Sequence, residues 1–262
     1  MRQVLEGVLE ALAEVHDPEL DEPITRLGFV RSCQCEDGEV EVALRLPTPQ
    51  CAPNFAFLMA ADARAVVGRV PGVRRVRIRL EDHYTGQEIN QALASGQGFS
   101  GAFPGETDDD QLAQLRALFE RKALIARQAR LCELLLDAGE TAEALTARTV
   151  AELPDVPDAR RCLRLRERLG LGCAPDDPAF VLPTGAPLGA ADLQRWLRSA
   201  RLVRMSLEVN GGICRSLLEA RHGARLEDPE ETPGAASVAA RPARAACPRT
   251  AGVVRNREEV AR

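Results

Sequence analysis

The stretch EVEVALRLPTPQCAPNF, residues 39–55, decides the fold of the first part of the chain. Apolar and polar residues alternate from Glu39 to Leu46, which is the period of a strand with one buried face. Two prolines then break the strand. Pro53 suits the first turn of a helix, where its missing N–H costs nothing. The stretch therefore predicts a strand, a short loop and a helix, with Cys51 in the loop.

The segments on either side of this stretch predict a small α+β unit with the order α-β-β-α-β. Apolar residues recur at helical spacing near the start of the chain, and a third alternating strand follows the second helix. Glu36-Asp37-Gly38 is a hairpin signal between the first two strands. The predicted elements are a helix near 4–16, strands over 29–35 and 39–46, a helix over 54–67 and a strand over 73–80.

Cys51 lies just before the N-terminus of the second predicted helix. Free backbone N–H groups and the positive end of the helix dipole favour a thiolate there, and the thiolate is the form that binds metal or attacks an electrophile. A buried, inert cysteine that fills a tight loop is the alternative. The position of Cys51 in the sequence does not separate the two interpretations.

Composition and charge exclude several classes of function. The 262 residues suffice for two modest domains, and 45% of them are apolar. The net charge of -5 argues against nonspecific binding of nucleic acid. Eight cysteines without a paired CxxC pattern do not indicate a zinc ribbon or a ferredoxin-type site within one chain.

The sequence also predicts a cytoplasmic protein without a membrane partner. The first six residues include charged ones and no apolar stretch follows, so we expect no signal peptide. No apolar run approaches the roughly 18 residues that a membrane span needs. Mostly reduced thiols are the expectation in that compartment.

A change of composition after residue 94 predicts further parts of the chain. SGQGFSGAFPGE, residues 95–106, has the composition of a glycine-rich linker. A helical domain is predicted over 107–224, and a disordered tail rich in Pro, Ala, Arg and Glu over 225–262. The predicted helices are one capped by Thr107 or Asp108 and running towards 137, and others over 141–149, 158–169, 192–201 and 213–222.

In the last of these helices, Cys214 follows Asn210-Gly211-Gly212, which we interpret as a turn. Such a turn at a helix start could cradle an anion, and Cys214 would repeat the position of Cys51. A small structural filler is the preferred interpretation of Cys214.

Three motifs of the first 90 residues, in this order, resemble the iron–sulfur cluster assembly family that includes the SufT-like and PaaD-like bacterial proteins. The family has an Asp-Pro-Glu signature after its first helix, a Leu-Gly before its first strand, and a Thr-x-x-Cys-Pro loop. Two positions differ: Arg26 replaces an acid, and Ala52 separates the cysteine from its proline. The matching residues are Asp17, Pro18 and Glu19, then Leu27 and Gly28, then Thr48 and Cys51.

The resemblance implies a role without catalysis, in which Cys51 helps to load or mature a metal centre in another protein. Transient iron or an iron–sulfur cluster is the implied cofactor, with Cys51, Thr48, Asp17 and Glu19 as candidate binding residues. His83, beside acids after the third strand, is a further candidate metal ligand with Cys51. The alternative role for Asp17 and Glu19 is to cap a helix or a turn. The alternative for His83 is a position in a surface turn without a metal.

One cysteine cannot complete a four-coordinate site, so other ligands are needed. A client metalloenzyme, another assembly protein or a second copy of the chain in a homodimer could supply them. The overall layout also resembles the proteins that accompany bacterial binuclear-iron monooxygenases of the propane-oxidising type, which would make the hydroxylase the client. A thiol enzyme with Cys51 as nucleophile and His16 or His83 as base, and a pure adaptor, are the alternative functions.

Overall fold

The structure, a computed structural model, describes residues 2–105 and 108–223, and the predicted tail lies outside them. The predicted order α-β-β-α-β is confirmed, and with it the fold class of a small α+β unit followed by a mainly helical region. The first five elements are α1 (Arg2–Leu12), β1 (Val30–Glu36), β2 (Glu39–Arg45), α2 (Pro53–Val67) and β3 (Arg75–Glu81).

The three strands form one sheet with β2 in the centre, antiparallel to β1 and parallel to β3. Asp37 and Gly38 close the β1–β2 hairpin with φ angles of 47° and 78°, as the turn signal predicts. The inward residues of β2 are fully buried, and they pack in one core with residues of both helices. The alternation in the sequence is therefore explained by a sheet with a single buried face.

The parallel pairing of β2 and β3 places the loop that contains Cys51. The chain must cross from the end of β2 to the start of β3, and α2 makes this crossing. Arg45 pairs with Glu81 at the last position of the register. The loop after β2 and the turn after β3 consequently lie side by side at one edge of the sheet.

The segment predicted as a glycine-rich linker is folded where the structure describes it. A helix that the sequence analysis missed, α3 (Gly86–Ser95), ends at Gly96 with a φ of 72°, and a short helix, α4 (Phe99–Ala102), follows. Phe99 and Phe103 are buried in the core that the sheet forms with α1 and α2, which we call the first core. The glycines here cap and join helices, while the two phenylalanines attach the segment to the first unit. The proposed domain boundaries stay predictions.

The rest of the described chain is helical around a second core. The Asp108 side chain caps α5 by accepting from the backbone N–H of Gln111 at 2.7 Å, as predicted. No strand lies between 108 and 223. The helices are α5 (Asp109–Asp137), α6 (Ala142–Ala147), a 3-10 turn at Val150–Glu152, α7 (Pro157–Arg168) and α8 (Ala190–His222).

The prediction of two helices separated by a turn at Asn210-Gly211-Gly212 is wrong, because α8 is continuous over 33 residues. Gly211 is buried, and a Cβ atom there would lie 3.0 Å from Oε1 of Glu22. The glycine thus permits close packing of the helix against the first unit and does not form a turn. Cys214 therefore lies inside a helix, so the predicted cradle for an anion is absent at this position.

Buried ion pairs join the helical region to the first unit. Asp21 is 3% exposed and accepts hydrogen bonds from Arg127 of α5 at 2.7 Å and from Arg161 of α7 at 2.6 Å. Burial alone would raise the pKa of Asp21, but the two guanidinium charges lower it below its ordinary value. Because these buried charges are paired with one another, they fix the loop of Asp21, α5 and α7 in position relative to one another.

None of the helices within the two described ranges combines the length and the apolarity that a membrane span requires.

Candidate functional site

Cys51 lies on a tight loop between β2 and α2. Its backbone N–H donates to the carbonyl of Thr48 at 3.3 Å, and the Thr48 hydroxyl lies 3.5 Å from the Cys51 sulfur. Pro53 occupies the first turn of α2, and Ala52 at the N-cap offers no side chain to the free N–H groups. The Phe55 N–H donates instead to Oδ1 of Asn54 at 2.9 Å. The Cys51 sulfur thus precedes the N-terminus of α2, in a half-buried position against the first core.

His83 holds the same loop from the neighbouring turn. Its Nε2 is 2.7 Å from the Cys51 carbonyl, and its Nδ1 is 3.3 Å from the backbone N–H of Thr85. Because a carbonyl can only accept and an N–H can only donate, Nε2 carries the proton and Nδ1 accepts. Burial lowers the pKa of His83, which favours this neutral form. Both ring nitrogens are engaged, so a metal could bind His83 only by displacing one of these partners.

Asp17 is a buried carboxylate in the loop after α1. Its Oδ1 accepts from the backbone N–H groups of Glu19 at 2.8 Å and Leu20 at 3.0 Å, which is the capping alternative to a role as a ligand. Burial nevertheless raises the pKa of Asp17 to about 6, against the effect of these two bonds. A carboxyl held charged at neutral pH at such a cost is typical of a functional position.

The predicted residues Asp17, Glu19 and Cys51 are close enough to Cys214 of α8 to act on it electrostatically. Burial, followed by electrostatic interaction with Asp17, Cys51 and Glu19, raises the pKa of Cys214 to about 11. Charges act in this way over short distances in a protein interior. The four groups therefore form one electrostatic neighbourhood, to which α8 contributes a residue that sequence reasoning assigned to filler.

These groups do not complete a metal site by themselves. Within residues 2–105 and 108–223, no three His, Cys, Asp or Glu side chains are placed to hold a metal ion. Cys33 and Cys35 lie on β1 and pack against the first core. A metal at Cys51 would consequently need ligands from outside the arrangement described.

The two histidines of the first unit are poorly placed as bases for Cys51. His16 donates from Nδ1 to the Glu14 carbonyl at 3.0 Å, and burial lowers its pKa to about 3. His83 is bonded to the Cys51 carbonyl and not to its sulfur. Thus neither ring forms a hydrogen bond to the Cys51 sulfur, which disfavours the thiol-enzyme alternative.

Comparison with known proteins identifies the first unit. A model of the iron–sulfur cluster assembly protein family matches residues 5–79. An uncharacterized protein of Methanocaldococcus jannaschii is 34% identical over 89 residues, which are 34% of this chain and 92% of that protein. The chain belongs to the iron–sulfur cluster assembly protein family. The resemblance noted in the sequence is thereby confirmed for the first unit.

This assembly-family chain is also similar to much longer proteins. The iron–sulfur cluster carrier protein of Deinococcus radiodurans is 33% identical over 75 residues, which are 29% of this chain and 21% of that protein. The carrier protein of Mycobacterium tuberculosis is 40% identical over 76 residues, which are 29% of this chain and 19% of that protein. The chain spans about a fifth of the length of these carrier proteins.

The residues matched by the family include Asp17, Glu19, Thr48 and Cys51. Cys214 lies in the helical region, outside the match. A signal for it was present in the sequence, because Cys214 and the buried Leu218 are four residues apart and share one face of a helix.

Proposed function

We propose that this assembly-family protein holds iron or an iron–sulfur cluster transiently at Cys51 and delivers it to a client metalloenzyme. The position of the Cys51 thiol supports this proposal most directly. The thiol is half-buried, precedes the N-terminus of α2, and is fixed by Thr48 on one side and by the His83–carbonyl bond on the other. Such a thiol is held in place for ligation and still reaches the surface.

In this proposal, the protein acts in the cytoplasm as a non-enzymatic factor, together with other assembly proteins. Asp17 and Glu19 place negative charge near Cys214, which also interacts electrostatically with Cys51, and this charge favours a cationic cargo. Ligands that the chain lacks come from the client or from a second copy in a homodimer. The helical region supplies affinity for the client, for which we propose a binuclear-iron monooxygenase on the basis of the overall layout.

Anaerobic reconstitution with iron and sulfide tests the role of the thiol. We expect Cys51→Ser to lose most of the bound iron and of the sulfur-to-iron absorption, because serine does not replace a thiolate as a soft ligand. Cys35→Ser is the matched control, since Cys35 is also a half-buried thiol of the first unit. Equal iron content in both variants and the parent protein would refute the proposal.

Co-expression with a candidate binuclear-iron hydroxylase tests the client. The Cys51→Ser variant is expected to co-purify with the hydroxylase but to leave it poor in iron and inactive. Full hydroxylase activity with this variant would replace the proposal with the adaptor function. Failure of the parent protein to co-purify would exclude this client while leaving the reconstitution result as an independent test of cargo binding.

A further inference from the structure

The last turns of α8 pack against the first unit and contact the chain on either side of the sheet end that carries Cys51, at Pro47 and at Asp82. Leu218 is 2% exposed and belongs to the first core. Arg215 bonds both carboxylate oxygens of Glu22 from Nη1, at 2.8 and 2.7 Å. Arg221 donates to the carbonyl of Pro47 at 3.0 Å, and Pro47 stands at the start of the Cys51 loop. The end of α8 is thus attached on both sides of the site.

Cys214 occupies the stretch of α8 between these attachments. It lies three residues after the buried Gly211 and four before Leu218, so it faces the first unit. Cys214, on α8, and Cys51, on the loop after β2, both pack against the first core. Cys214 is half-buried, as is Cys51.

The charges near Cys214 support this placement. Burial raises its pKa, and Asp17, Cys51 and Glu19 raise it further. If this position required only a small filler, alanine would serve equally well. Alanine would add no second ionisable group near the buried carboxylate of Asp17. A bound cation would favour thiolates at both sulfurs and offset the negative charge of Asp17.

We propose that Cys214 is the second thiolate ligand of the cargo held at Cys51, so that the assembly domain and the helical region each supply one sulfur. This inference rests on the proposed function. Each thiol loses its proton to solvent as its sulfur bonds the metal. A tetrahedral iron then keeps two further positions, which an outside partner fills, in agreement with the absence of a third ligand among the residues described.

Titration of the full-length, reduced protein with Co²⁺ under anaerobic conditions tests the proposal. Thiolate-to-cobalt charge-transfer absorption in the near ultraviolet grows with the number of bound thiolates. We expect Cys51→Ser and Cys214→Ser each to retain about half of the parent absorption per bound cobalt, and the double variant to retain none. Cys35→Ser is the control and is expected to match the parent.

The outcomes separate this inference from the proposed function. Parent-level absorption for Cys214→Ser, with a loss for Cys51→Ser, overturns the inference and leaves the proposed function standing. Parent-level absorption for Cys51→Ser overturns both. Circular dichroism of each variant shows whether the fold is kept.

Cross-linking of the parent protein gives a second test that requires no substitution. A short reagent that alkylates two thiols is added, and the linked peptides are identified by mass spectrometry. We expect a Cys51–Cys214 link within one chain, which prior addition of Co²⁺ suppresses. Links from Cys51 exclusively to other cysteines would overturn the inference even if a Cys214 variant failed to fold.

Discussion

Replacement of the buried Asp17 by asparagine is expected to stabilise the metal-free protein at neutral pH. The asparagine oxygen can accept the same N–H groups from Glu19 and Leu20 that Oδ1 accepts now. It carries no charge, so the cost of burying a carboxylate disappears. The variant therefore keeps the hydrogen bonds of the turn and removes the buried negative charge.

The magnitude follows from the pKa of Asp17, which burial raises from 3.8 to about 6. A folded state with the higher carboxyl pKa binds more protons than the unfolded state between these values. The free energy of unfolding consequently falls as the pH rises from about 4 to about 6, and the full cost is present above that range. At about 1.4 kcal/mol per pH unit, this difference in pKa corresponds to a cost on the order of 3 kcal/mol at pH 7.5.

Urea unfolding of the parent protein and of Asp17→Asn at pH 7.5 and at pH 4.0 measures this cost. The variant should be more stable at pH 7.5, and the difference should shrink towards zero at pH 4.0. Because both proteins retain His16, whose low pKa gives the opposite pH dependence, the comparison isolates Asp17. Asp176→Asn makes the same exchange at an exposed site and should change neither value. A variant that is less stable at pH 7.5, or shows the same difference at both pH values, would refute the reasoning.

Two further substitutions test how the helical region is attached. Asp21→Ala is expected to lower the free energy of unfolding by about 3 to 5 kcal/mol, because Arg127 and Arg161 lose a partner they share in a buried site; a loss below about 1 kcal/mol in urea would contradict this. Leu218→Ala is expected to cost about 2 to 5 kcal/mol and to speed the alkylation of Cys51, since α8 loses a fully buried anchor. An unchanged alkylation rate in this variant would show that α8 does not shield the thiol.

Local patterns were sufficient to predict the first unit because one buried face imposes its period on each strand and helix. The hairpin at Asp37 and Gly38 and the cap at Asp108 were equally local, and both are confirmed. α3 was missed although Ile89, Ala92 and Leu93 recur at helical spacing and are buried. A start signal was present and was overlooked, because Thr85 and Glu88 have the spacing of a capping box. In the structure the Thr85 hydroxyl bonds Nδ1 of His83 and does not cap the helix.

The arrangement of the site depended on contacts that no local pattern contains. His83 reaches the Cys51 carbonyl because β2 and β3 pair in parallel with Arg45 opposite Glu81. Asn210-Gly211-Gly212 has the composition of a turn. The contact that explains a glycine at position 211 is with Glu22, which is distant in sequence. The sequence alone could therefore identify Cys51 as a functional candidate but could not show that Cys214 of α8 packs against the same core as Cys51.

The position of α8 in the chain has a consequence for synthesis in the cell. Cys51 leaves the ribosome roughly 170 residues before the end of α8, and translation at about 5 to 20 residues per second makes this interval about 10 to 30 s. During that interval, the loop of Cys51 lacks its contacts with α8. The nascent thiol is then more open to oxidants and to iron donors, and the arrival of α8 reduces that exposure.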